Sequence, residues 1–218
     1  MKPSILLSTT ALLGLTKLRT GSSSGTSSAS PSNETANEFL DGGCRPIIFF
    51  YARGSDQDGN IGDQPGPQVI SLLKSTLGQE TVAAQGIDYP ALLLTNILPE
   101  GCGPLAASGF AELVTYAAGE CPESKLVIAG YSQGAALVHA AAKRLLPRTA
   151  ARVVAAVTFG DTRRVQDGGQ IPPISPDRSL ILCHAGDLVC DGTLDVTDAH
   201  FNYQDLAPTA VAFIASKV

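Results

Sequence analysis

A serine hydroxyl becomes a useful nucleophile only when a base takes its proton and a carboxylate orients that base. The segment Gly130-Tyr131-Ser132-Gln133-Gly134 offers such a serine in a G-x-S-x-G pattern. What surrounds it gives the pattern weight. The apolar run Lys125 to Ala129 reads as a strand, and the alanine-rich stretch from Gln133 to Leu146 reads as a helix. Strand, sharp turn and helix are what a nucleophile elbow requires. The glycines suit a turn that brings strand and helix too close for side chains. The serine then stands at a helix N-terminus, where free amide N–H groups can meet an oxyanion.

The base has three candidates, because the chain holds three histidines. His139 lies within the helix after the elbow, among Ala and Leu, and is expected to be packed rather than catalytic. His184 follows a strand, directly after Cys183. His200 lies in the next loop and satisfies the order serine, acid, histidine. Asp187, Asp191, Asp195 and Asp198 all precede it. Asp187 is favoured because a bridge between Cys183 and Cys190 would hold its carboxylate still, although Gly186-Asp187 would also serve as a plain turn. Asp161, after Phe159-Gly160, is the second choice, with Arg163 and Arg164 offering it an ordinary salt bridge. For an oxyanion hole, the Gln133 amide is one donor, and Ser55, after the first strand, is the other. Asn60 and Asn96 could brace that loop.

These groups need a scaffold. Runs at 46–51, 81–89, 125–129, 152–159 and 179–183 are near-continuous in apolar residues, as strands covered on both faces are. Helical patterns at 67–77, 104–118, 133–146 and 207–217 alternate with them. The alternation predicts a three-layer α/β domain, and function gathers at the carboxyl ends of such strands. Ser55, Ser132 and the 183–187 segment all follow strands. No insertion is long enough for a cap, so the site is expected to open to solvent.

Composition narrows the partners. Hydrophobic residues at 44% against charged residues at 16% suit a globular domain. A net charge of −5 leaves no footprint for nucleic acid or an anionic membrane. Lys2 followed by the apolar stretch Ile5 to Leu15, too short to span a bilayer, predicts a signal peptide over residues 1–20. Residues 21–43 are Ser/Thr-rich and are expected to form a disordered lead-in carrying the N-x-S/T acceptor Asn33. The domain proper is expected over 44–218. Five cysteines in an exported chain suggest two disulfides and one leftover. With no C-x-x-C and no close histidine pair, no metal or other cofactor is expected.

Cys44, Tyr51-Ala52-Arg53-Gly54-Ser55, Gly59-Asn60, Cys121 and Gly130 to Ala135 resemble the fungal cutinases. So do Phe159-Gly160, Gly169-Gln170-Ile171-Pro172 and the run Cys183 to Cys190 with His200 ten residues on. The likeness extends from Cys44 nearly to Val218. It implies a single-domain α/β-hydrolase with a central, mainly parallel five-stranded sheet and no cap domain. It further implies Ser132 as nucleophile, Asp187 as acid, His200 as base, Ser55 and Gln133 in the oxyanion hole, Asn96 in support, and disulfides Cys44–Cys121 and Cys183–Cys190. The activity implied is that of a secreted, monomeric serine carboxylesterase acting on cutin.

Three departures qualify that likeness. Gly86 to Ala91 looks closer to the acetylxylan esterases, which makes a short-chain esterase the alternative. Cys102 has no counterpart. Asp191, Asp195 and Asp198 stand where a more apolar rim is expected, although Leu92, Leu93, Leu94, Leu188, Val189, Leu194 and Val196 could still supply one. A secreted surface-binding protein without turnover is the reading from another class.

Overall fold

The computed structural model describes residues 34–218. The expected signal peptide over 1–20, most of the lead-in and Asn33 lie outside the described residues. Five strands, β1 (Ile47–Ala52), β2 (Val82–Gly86), β3 (Lys125–Tyr131), β4 (Val153–Phe159) and β5 (Ser179–Leu182), form one sheet in the order β2-β1-β3-β4-β5. Every neighbouring pair is parallel.

Helices cover both faces. Alternate β1 residues Ile47, Phe49 and Tyr51 pack with Val69, Ile70 and Leu73 of α2 (Gly66–Leu77) and Val211 and Ile214 of α6 (Ala207–Ala215). Ile48 and Phe50 pack on the other face with Phe110 of α3 (Pro104–Glu120) and Leu137 of α4 (Gln133–Ala142). A strand buried on both faces reads as an unbroken apolar run because neither face meets water. Chain order reverses at β1, which has β2 on one side and β3 on the other. The loops after β1 and β3 therefore flank the crevice where α/β sheets bind ligands.

Two expectations are corrected. The elbow helix stops at Ala142, not Leu146: the Arg144 and Leu145 amides donate to the Ala141 and Ala142 carbonyls three residues back, which tightens the last turn, and Leu146, before Pro147, is extended with ψ 151°. A short helix, α5 (Pro147–Ala150), follows. Residues 38–43 do not show the disorder expected of them: α1 (Glu38–Gly42) is folded, and Phe39 is buried against Phe50 and Tyr116. The physical reason is the free edge of β2, whose N–H groups need partners. The Ala84 amide donates to the Glu38 carboxylate at 2.9 Å and the Gly86 amide to the Ala36 carbonyl at 2.7 Å. Asn60, on the same loop as Ser55, ties that loop to this segment, accepting from the Ala36 amide and donating to Asn37.

Disulfides join Cys44 to Cys121 and Cys183 to Cys190. The first ties the approaches to the neighbouring strands β1 and β3. Closing so long a loop constrains the unfolded chain, by about 4.5 kcal/mol in the chain-entropy account. Cys102 is a buried free thiol, and burial pushes its pKa up to about 12.

Candidate active site

The elbow is strained and its glycines explain how it closes. Ser132 has φ 55° and ψ −120°, a left-handed backbone that a side-chain-bearing residue adopts only at a cost of about 1–2 kcal/mol. A Cβ on Gly134 would lie 2.0 Å from the Ala52 carbonyl oxygen, and one on Gly130 would lie 2.3 Å from the Gly134 oxygen. Backbone meets backbone at both positions, so nothing can yield. The Ser132 amide donates to the Phe159 carbonyl at 2.9 Å, which anchors the turn to the end of β4.

His200 reaches the serine from the loop after β5. Its Nε2 lies 2.9 Å from Ser132 Oγ and its Nδ1 lies 2.8 Å from Asp187 Oδ2. A carboxylate only accepts, so Nδ1 carries the proton and Nε2 presents a lone pair to the hydroxyl. The ring is buried, stacked on Tyr131 at 5.3 Å between centroids. Gly160 makes room for it, since a Cβ there would lie 2.8 Å from His200 Cε1. Asp187 is also buried, inside the Cys183–Cys190 loop. Its Oδ1 accepts from the Val189 amide at 3.1 Å.

The loop after β1 faces the elbow. Asn96 donates to Ser55 Oγ at 2.9 Å, which uses Ser55 as acceptor and leaves its own proton for the cleft. Gln57 accepts from the Gly54 amide at 2.7 Å and donates to Asp63 and to the Gln64 carbonyl, bracing the loop. The Gln133 side chain donates to the Leu92 carbonyl at 2.8 Å. The Gln133 amide stands in the first turn of α4, where no intrahelical acceptor exists. Ser55, Asn96, Ser132 and His200 line one cleft of about 890 Å³. Its walls include Leu93, Leu94, Ile97, Val189, Leu194, Val196 and Phe201. Leu94 at 74% and Leu194 at 58% exposure are rim residues, not core, while Val189 is interior at 3%. Asp191, Asp195 and Asp198 are exposed, and Asp191 approaches Arg164 at 3.7 Å.

The remaining candidates fall elsewhere. His184 bonds the Ala199 carbonyl and Asp205. His139 is buried between Asp161 and Asp167, at 2.9 and 2.6 Å. Asp161 thus pairs with an imidazole 22 residues away, and from Arg163 it accepts only the backbone N–H. Spacing within the sequence did not suggest Tyr131, Gln57 or Tyr203; their contacts close between irregular segments that carry no period. Among the described residues, no group of His, Cys, Asp and Glu converges as a metal site would.

A hydroxyl, an imidazole and a carboxylate in series, at the carboxyl edge of a doubly covered parallel sheet, is the arrangement of an α/β serine hydrolase. Comparison with known proteins narrows the class. The Cutinase family model matches residues 43–218. Cutinase CUT2 of Pyricularia oryzae is 48% identical over 184 residues, 84% of this chain and 86% of that protein. Probable cutinase 3 of Neosartorya fischeri is 42% identical over 84% of this chain and 86% of its own length. A Trichoderma reesei cutinase in complex with a phosphonate inhibitor superposes with a TM-score of 0.76 at 32% identity, covering 84% of this chain and 79% of that one. The catalytic core of the Trichoderma reesei acetyl xylan esterase shares the fold, with a TM-score of 0.65 at 22% identity over 80% of this chain. The chain belongs to the cutinase family of serine carboxylic ester hydrolases.

Proposed function

We propose that this chain is a secreted esterase that hydrolyses cutin and related aliphatic esters through an acyl-enzyme on Ser132. The observation that carries the assignment is His200, bonded at once to Ser132 Oγ and Asp187 Oδ2 beneath an apolar rim. In the first half-reaction, Nε2 takes the Ser132 proton as Oγ bonds the ester carbon, and the carbonyl electron pair moves onto oxygen. The Gln133 amide and the Ser55 hydroxyl donate to that oxyanion, and Asn96 holds Ser55 in place. The pair then returns, the ester C–O bond breaks, and His200 gives its proton to the departing alcohol. Water repeats the sequence: His200 takes its proton, hydroxide bonds the acyl carbon, and the acid leaves as Ser132 recovers its hydrogen. Asp187 holds the imidazolium throughout without becoming protonated.

Export is supported by the two disulfides, which persist in oxidising compartments. Among the described residues no helix is long and apolar enough to cross a membrane. The second reading, an acetylxylan or other short-chain esterase, is supported by the fold shared with the acetyl xylan esterase core. Tyr89 is buried and donates to the Arg53 carbonyl, so it supports the loop after β1 rather than lining the cleft.

Hydrolysis of p-nitrophenyl esters from acetate to palmitate, with Ser132→Ala in parallel, tests the reading. A maximum at butyrate or longer, abolished in the variant, is expected. A sharp acetate preference would move the assignment to a short-chain carbohydrate esterase. Activity retained by Ser132→Ala would end the mechanism.

A further inference from the structure

Asp187 has an unusual burden. Its side chain is fully buried, and among the described residues His200 is its one ion-pair partner. A buried carboxylate without an arginine or lysine depends on hydrogen-bond donors to hold its charge. The Val189 amide supplies one donor to Oδ1. Oδ2 receives two, His200 Nδ1 at 2.8 Å and the Tyr203 hydroxyl at 2.6 Å.

The direction of the Tyr203 bond is forced. The His184 backbone N–H donates to Tyr203 Oη at 2.9 Å, so the phenol accepts from the end of β5 and can only donate onward to Asp187. Burial first, and then the bond to Asp187, push the Tyr203 pKa well above its usual value, so the donor proton stays in place across the working range. A packing role alone does not need the hydroxyl. The ring is already held by His184, stacked at 4.2 Å, and by Tyr131 and Phe159.

We propose that Tyr203 is a positioning residue for the reaction: its hydroxyl aims Asp187 Oδ2 at His200 Nδ1 and shares the carboxylate charge. This rests on the assignment of Ser132, His200 and Asp187 above. Without the hydroxyl, Oδ2 keeps more of its charge and grips the imidazolium more tightly, so His200 is available as a base only at higher pH. Oδ2 also loses a donor that fixes its direction, so the imidazole it holds is less well oriented for proton transfer and kcat falls. Other groups facing this chain of bonds are few. Tyr131 donates to the His200 carbonyl at 2.8 Å, His184 pairs with Asp205 at 3.0 Å, and Asp63 lines the same cleft. Asp191 and Asp198 are exposed.

The test is Tyr203→Phe, which keeps the ring and removes one oxygen. A folded variant is expected to lose about tenfold in kcat with little change in KM, as loss of a bond to a charged group predicts. The acid limb of its kcat/KM profile is expected to move to higher pH. The far-downfield Nδ1–H proton resonance of His200 is expected to shift with it. A folded variant with wild-type kcat and an unmoved acid limb overturns the proposal. If the variant does not fold, isosteric 3-fluorotyrosine placed at 203, a stronger donor, is expected to move the limb to lower pH, and an unmoved limb again overturns it. Ser132→Ala separates the two levels. Activity surviving there removes the triad and this proposal together, whereas a dead Ser132→Ala beside an unaffected Tyr203→Phe removes only the role of Tyr203.

Discussion

Two buried imidazoles in this molecule are each bonded at both ring nitrogens, yet they are suited to opposite tasks. His200 lies between one carboxylate and one hydroxyl. His139 lies between two carboxylates, Asp161 and Asp167. Carboxylates only accept, so both nitrogens of His139 must donate, and the ring is an imidazolium. Burial alone would lower the His139 pKa, but the bonds and charges of Asp161 and Asp167 outweigh it and the net shift is upward. Asp161 stays ionised against its burial because His139, Thr158 and the Arg163 amide all donate to it. Asp167, bonded also to Lys143, falls to about 2. His139 has no lone pair to offer a substrate. It pins α4 to the segment following β4. His200 keeps one nitrogen free because its second partner is a hydroxyl. The class of the partner, not burial or the count of bonds, separates an imidazole with a lone pair to accept a proton from one that can only clamp.

Substitution of each histidine by glutamine sets the two against each other. His200→Gln is expected to lose about 10⁴-fold or more in kcat while folding normally, the scale seen when a triad base is removed. His139→Gln is expected to cost about 3 kcal/mol of stability, the scale for breaking a buried ion pair. Its kcat, measured well below the melting temperature, should stay close to wild type. Paired kinetics and denaturant titrations check both, and a large kcat loss in His139→Gln at full stability would break the comparison.

The pH dependence sharpens it. The raised His139 pKa means its contribution is full below the unfolded value of about 6.5 and is lost as pH rises through the folded value. The lowered Asp161 and Asp167 values mean theirs is full above about 4 and is lost as pH falls, toward about 2 for Asp167. The stability gap between wild type and His139→Gln should therefore be widest between about pH 4 and 6.5 and narrow on both sides. Melting curves across pH measure it. The smallest effect is expected at Lys143, whose side chain is 39% exposed. Lys143→Met should cost at most about 1 kcal/mol, and added salt should shrink even that difference.

Legibility followed sequence distance. The elbow could be read from five adjacent residues because strand, turn and helix are local and the glycine contacts arise within them. Asp187 was visible through its cysteine loop, another short-range feature. The pairing of Asp161 with His139 was not, since its sequence neighbours Arg163 and Arg164 offered a nearer partner and only the packing of α4 beside β4 brought the imidazole in. The order within residues 34–43 was hidden by polar composition, which does not reveal that one phenylalanine and one glutamate can close a sheet edge. The early end of α4 is not legible either: Leu146-Pro147 limits the helix only at Leu146, and the tightened turn at 143–145 has no signal in an alanine-rich run.

The chain's order of residues determined by itself the alternation of strands and helices, the strained serine turn and the cysteine-bounded loop, because each depends on backbone preferences acting over a few positions. Tertiary structure alone decided which histidine meets a hydroxyl and which meets two carboxylates, and that a tyrosine would stand behind the acid. Those outcomes depend on side chains from segments joined only when the sheet is covered on both faces, and no local preference encodes them.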